Sequence, residues 1–131
     1  MMYLLDVNAL VALGFMQHEF HTRVARWIRS RRSVELASSS ITELGFVRVL
    51  AQAPAYGLTV AQARSVLLRL KQAHSFPLEF LSDEVDISLL PSWVKTPRQV
   101  TDGHLSHLAK VHGALLATLD ENIPGSYLIP K

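Results

Sequence analysis

No cysteine occurs among the 131 residues, which removes disulfides, iron–sulfur clusters, thiolate zinc sites and cysteine nucleophiles together. The absence fits a reducing compartment, and the cytoplasm is the expected location. Charge is also scarce: Asp, Glu, Lys and Arg make up 18% of the chain, short of the roughly 25% usual in soluble domains. With a mean hydropathy of +0.20, this composition leads us to expect apolar surface turned toward a partner. Neither a long apolar run nor the basic start and cleavage site of a signal peptide is present, so no membrane association is expected. The phosphate loops Gly-x-x-x-x-Gly-Lys and Gly-x-Gly-x-x-Gly are missing, as are a His-Glu-x-x-His zinc motif and a Gly-x-Ser-x-Gly elbow around Ser38, Ser39 and Ser40. Nucleotide-fold, zinc-peptidase and serine-hydrolase chemistries therefore lack a foundation. What the chain does have is 49% hydrophobic residues, enough for one globular domain over residues 1–131 and too many for a disordered or fibrous chain.

The apolar residues are periodic. Met2 to Leu5, Val34 to Ala37, Pro77 to Leu81 and Ala114 to Leu119 read as strands. Helices are expected over Asn8 to Met16 and around a core-facing stripe of Phe20, Val24, Trp27 and Ile28. Further helices are expected from Ser40 to Gln52, opened by a Ser40/Glu43 capping box, and after Thr59, whose box partner is Gln62. A short helix within Asp83 to Trp93 and a longer one from Thr101 to His112, stopped by Gly113, complete the set. Strands alternating with helices predict a three-layer α/β/α domain with a mainly parallel sheet. Sites in such sheets lie beyond the carboxyl ends of the strands.

The net charge of +2 hides an asymmetry: residues 1–78 carry nine Lys/Arg and four Asp/Glu, residues 79–131 four and seven, giving +5 and −3. Arg23, Arg26, Arg29, Arg31 and Arg32 follow one another with no acid between them. They are either a solvated helix face or a set of phosphate contacts for nucleic acid.

Four acids stand where that sheet would place chemistry. Asp6 follows the first strand, Glu43 lies in the first turn after the second, Asp102 opens the last helix, and Asp120 follows the last strand. Singly, each has a structural role open to it as a turn residue, a capping partner or an acid at a helix N-terminus. Together they make an all-oxygen set that suits Mg²⁺ or Mn²⁺ rather than zinc or copper, and a cation would relieve their repulsion. Glu43 is the most telling, because between Ile41 and Leu50 only Thr42 and Arg48 are otherwise polar and a carboxylate in apolar surroundings needs compensation. His104, His107 and His112 could form a metal or general-base set, but the helical wheel turns His107 toward solvent and away from Asp102.

Leu4-Leu5-Asp6-Val7-Asn8, Thr42-Glu43-Leu44 after a Ser-rich turn, Thr101-Asp102-x-x-Leu105 and Ala117-Thr118-Leu119-Asp120 resemble, in order and spacing, the motifs of PIN-domain ribonucleases. The likeness is nearest to the VapC toxins of bacterial toxin–antitoxin pairs and spans almost the whole chain. It implies a PIN-like α/β/α fold and a Mg²⁺ or Mn²⁺ site made by Asp6, Glu43, Asp102 and Asp120, with Asn8 and Thr118 orienting the carboxylates. It also implies an endoribonuclease in which metal-activated water attacks phosphorus, leaving a 5′-phosphate and a 3′-hydroxyl. The chain departs from the pattern after the fourth acid, where some members carry a further one and Asn122 is neutral here; the number of metals stays open. Because water is the nucleophile, RNA preference must come from binding, for which Arg23, Arg26, Arg29, Arg31, Arg32 and Arg48 are candidates. The resemblance further implies a homodimer and a small VapB-like antitoxin that blocks the acidic pocket and covers an apolar groove. The competing reading is a non-catalytic cation-binding or regulatory module on the same scaffold. A phosphoacceptor receiver of that kind would want an acidic pair beside the first strand, and Asp6 stands alone there.

Overall fold

Side-chain alternation along the first strand, β1 (Met2–Leu5), sets the architecture. Leu4 points to one face, Tyr3 and Leu5 to the other, and all three are buried, so the strand needs cover on both sides, as parallel strands do. The computed structural model, which describes residues 1–73 and 76–131, supplies that cover. After β1 come α1 (Val7–Gly14), α2 (His21–Arg29), β2 (Glu35–Ser39), α3 (Ser40–Gln52), α4 (Val60–Gln72), β3 (Leu78–Leu81), α5 (Val100–Val111), β4 (Leu115–Thr118) and β5 (Tyr127–Leu128). The strands are all parallel, in the order β3-β2-β1-β4-β5. Leu4 pairs with Ala37 on one side and Leu116 on the other.

Two cores follow from the pleat. Tyr3, Leu5, Leu36 and Ala117 pack with Leu10, Val24, Phe46 and Leu67 from α1 to α4. Leu4, Ala37 and Leu116 pack with Leu105 and Leu108 of α5, joined by Val85 and Trp93 from the segment after β3. The result is the expected α/β/α sandwich. α1 and α3 approach closely at Gly45, where an added Cβ would meet Val7 Cγ2 at 2.5 Å. α5 ends at Gly113, whose φ of +69° suits glycine. From β1 the order runs through β2 to β3 in one direction and through β4 to β5 in the other, so a switch point lies between β1 and β4, where open parallel sheets form their crevice.

Four local expectations are corrected. The capping box of α3 is Ser39 with Thr42, one residue before the Ser40/Glu43 spacing, and it leaves Glu43 free of capping. Asp83 to Trp93 forms only a 3₁₀ turn at Ile87–Leu89, capped by Asp86, because Ile87 and Leu89 are exposed and anchor nothing. β5 adds a strand beyond the one that read as last; two residues are too few to register a period of two. Phe20 leaves the stripe it shares with the buried Val24, Trp27 and Ile28 and stays 39% exposed.

Candidate active site

Asp6 sits where β1 becomes α1, and it serves as the helix cap. Its Oδ1 accepts the Ala9 N–H at 2.8 Å, while its own N–H donates to the Ala117 carbonyl across the switch point. The carboxyl is buried, and burial pushes its pKa up to about 6; hydrogen bonds from Thr118 and Ala9 oppose that rise, while the charges of Asp102 and Asp120 add to it. Thr118, fully buried at the end of β4, accepts the Asp120 N–H at 3.0 Å through Oγ1, so one hydroxyl orders both acids. Asp102, in the first turn of α5 and half-buried, is likewise raised by burial and then by Asp120. Three of the four predicted acids thus feel one another's charge at the switch point.

They fit a hard divalent cation in donor chemistry. As placed, no three Asp, Glu or His side chains among the described residues converge tightly enough to enclose an ion, so the coupling acts at longer range than ligation. Asp120 is exposed and Asp102 only half-buried, which leaves both side chains room to rotate inward.

Glu43 has partners of its own. Its Oε2 accepts Lys71 Nζ at 2.8 Å and Ser38 Oγ at 2.6 Å, and Lys71 lies 5.3 Å over the Phe80 ring. The compensation its apolar helix calls for comes from a lysine. Sequence reasoning missed Lys71, although a signal existed: four residues after the buried Leu67, it continues the core-facing stripe of α4, and a cation on such a stripe requires a carboxylate. Ser38 positions Glu43.

Asn8 is exposed in the first turn of α1 and, with Asp120, borders a cavity of about 340 Å³ also lined by His18, Glu19, Phe20 and Leu119. Of the six arginines, Arg23 donates to the Ile129 and Pro130 carbonyls, and Arg31 donates to Tyr127 Oη at 2.6 Å beside Tyr3 and Trp27. Arg26, Arg29, Arg32 and Arg48 are exposed. Among the described residues, His104, His107 and His112 form no metal set. His104 pairs with Asp83 at 2.5 Å and His112 Nε2 meets the Ser82 carbonyl at 2.8 Å, which straps the segment after β3 onto α5. Burial works to raise Asp83, but its bonds to His104 and the Val85 N–H outweigh it and hold the carboxyl low. His107, expected in solvent, is half-buried beside Trp93, because the strapped segment covers that side of α5.

Comparison with known proteins adds independent findings. The PIN domain family model matches residues 3–125. Ribonuclease VapC38 of Mycobacterium tuberculosis is 37% identical over 129 residues, covering 93% of this chain and 87% of that protein. Ribonuclease VapC44 of the same species is 37% identical over 126 residues, with 92% and 87% covered. Among solved structures, VapC20 of M. tuberculosis, a sarcin-ricin loop cleaving toxin, superposes with a TM-score of 0.63 at 11% identity over 92% of each chain. VapBC2 from Rickettsia felis, bound to a DNA fragment from its promoter, gives a TM-score of 0.60 at 16% identity over 98% and 97% of the two chains. At those identities the structures speak for the fold.

Proposed function

The chain belongs to the PIN domain family, and from that membership with its full-length likeness to VapC ribonucleases we infer that it is the toxin endoribonuclease of a VapBC-type toxin–antitoxin pair. The observation that carries the chemistry is the mutual charge coupling of Asp6, Asp102 and Asp120 at the switch point. Carboxylates gathered in partial burial raise one another's pKa, and a site for a cation explains why the fold tolerates them. PIN-domain ribonucleases are generally metal-dependent. We assign Mg²⁺ or Mn²⁺ to Asp6, Asp102 and Asp120, with Glu43 as the fourth acid of the site. When bound, the cation supplies neutralisation of the phosphoryl oxygens and a water ionised at neutral pH.

The chain's own residues do the positioning. Thr118 and the Ala9 N–H fix the Asp6 carboxyl, and Thr118 also fixes the backbone of Asp120. Asn8 offers an amide on the rim, Ser38 holds Glu43, and Lys71 neutralises it in place of a metal cation. Arg26, Arg29 and Arg32 are assigned to the RNA backbone; Arg48 borders an apolar groove along α3, and the guanidinium groups of Arg23 and Arg31 are engaged in the fold.

A VapB-like antitoxin is the assigned protein partner. We also assign a groove of about 530 Å³ along α3 and α4, lined by Leu44, Val47, Ala51 and Val60, to a second copy of the chain. Leu44 and Val60 are 71% and 63% exposed, the apolar surface that the charge-poor composition led us to expect. Among the described residues no helix is long and apolar enough to cross a membrane; the cytoplasm is the assigned location.

The test is cleavage of a total small-RNA pool by wild type and Asp6→Asn with Mg²⁺, Mn²⁺ or EDTA, followed by sequencing of product ends. Fragments with 5′-phosphates should require metal and disappear in the variant. Cleavage that survives EDTA or the substitution would remove Asp6 from the chemistry. Inactivity of the folded, antitoxin-free wild type would favour a non-catalytic cation module.

A further inference from the structure

We propose that the cavity beside the acidic cluster, lined by Asn8, His18, Phe20, Leu119 and Asp120, is a nucleobase subsite that takes the base next to the scissile phosphate and sets the enzyme's preference there. The proposal rests on the nuclease reading. Its volume of about 340 Å³ lies at the small end of ligand pockets and suits one nucleoside. The cavity shares Asp120 with the cluster and includes Asn8, two residues after Asp6. A phosphate held at the acids therefore brings its adjoining base to this opening.

Phe20 gives the cavity its chemistry. The stripe it belongs to would bury it, yet Val24, Trp27 and Ile28 are buried while Phe20 remains 39% exposed. It stands at the N-cap of α2, where its side chain makes no capping bond. Capping does not account for a large aromatic in that place, and its packing leaves more than a third of it open to solvent. The Arg23 guanidinium lies 5.8 Å from the ring centroid and is itself anchored on the Ile129 and Pro130 carbonyls. The His18 ring lies 5.8 Å away, tilted by 46°. Two rings backed by an anchored cation form a rigid stacking platform of the kind that holds unpaired bases.

His18 adds a directional group. Its Nδ1 accepts the Phe20 N–H at 3.0 Å, so the neutral ring carries its proton on Nε2, a donor for a base edge. Burial favours that neutral form, against the pull of Glu19 and with the help of His21. Glu19, also lining the cavity, is an acceptor for a base amine. Stacking on Phe20 supplies affinity for any base, and the His18 and Glu19 edges supply the preference.

The test compares metal-dependent cleavage of the small-RNA pool by wild type, Phe20→Ala, Phe20→Leu and His18→Gln, with product ends sequenced and melting temperatures recorded. Wild type should show one enriched base beside the cut. Both Phe20 variants should lose between about fivefold and a hundredfold in kcat/KM and flatten that enrichment, and His18→Gln should change which base is enriched. Phe20→Leu keeps the bulk of the side chain and decides the matter if Phe20→Ala is unstable. Wild-type rate and end preference in Phe20→Leu overturn the subsite and leave the nuclease reading intact. If wild type cuts nothing, the nuclease reading fails on its own, and the subsite is judged by the tryptophan fluorescence that Phe20→Trp adds over wild type, which already carries Trp27 and Trp93, titrated with single-stranded poly(A), poly(C) and poly(U) in EDTA. Quenching then upholds a base-binding cavity, and its absence overturns it.

Discussion

A single carboxyl in Asp6 caps α1 and faces the acidic cluster, and its titration ties stability to the site. Its folded pKa of about 6 stands above the 3.8 of the free side chain, chiefly through burial. A raised carboxyl favours folding in its protonated form, so its contribution is complete below about pH 4 and is lost as pH rises through about 6. The difference amounts to roughly 3 kcal/mol at full ionisation. Asp102 shifts in the same direction. The metal-free protein should therefore melt higher at pH 5 than at pH 8, and Asp6→Asn should remove most of that slope in calorimetry; an unchanged slope would place the titration elsewhere. Lys71 makes a separate prediction. Its partly buried pair with Glu43 is worth about 1 kcal/mol, so Lys71→Met should tighten Mg²⁺ binding by about two- to fivefold in isothermal titration, and weaker binding would show that Lys71 supports the site. Asp6, Asp102 and Asp120 were legible because each abuts a strand or opens a helix. Lys71 was harder to read, because its partner lies 28 residues away on another helix.

At the scale of elements, the contact of α1 with α3 positions the cap that holds Asp6. Gly45→Ala would drive a methyl group into Val7, a β-branched residue with little rotamer freedom. Overpacking of this kind costs about 2 kcal/mol, which should appear as a fall in Tm of roughly 5–10 °C. Metal affinity should fall with it, since Val7 directly follows Asp6; a variant as stable as wild type would show that α1 can yield. Most helices and four strands were readable from caps and apolar periods, as Thr59/Gln62 on α4 illustrates. Two of the failures share a cause. Ile87, Leu89 and Phe20 are apolar residues that the fold leaves exposed, and periodicity assumes that every such residue is buried.

At the scale of the molecule, the groove on α3 and α4 is the surface assigned to a second copy. Leu44→Glu introduces a charge at a position already 71% exposed, so the fold should survive while a dimer closed over this groove dissociates. Sedimentation should report a monomer for the variant and a dimer for wild type; a variant that stays dimeric would move the interface elsewhere. The strand order carries a different consequence. β1 lies between β2 and β4, and its second neighbour is more than a hundred residues further along the chain. Long-range pairing of this kind is the late and slow part of folding. During translation, then, the ribosome first exposes a chain with Asp6 and Glu43 alone of the four acids, and the proposed cluster can form only once residues 115–118 have joined the sheet. On the proposed site, topology alone then separates the synthesis of the first acids from their assembly.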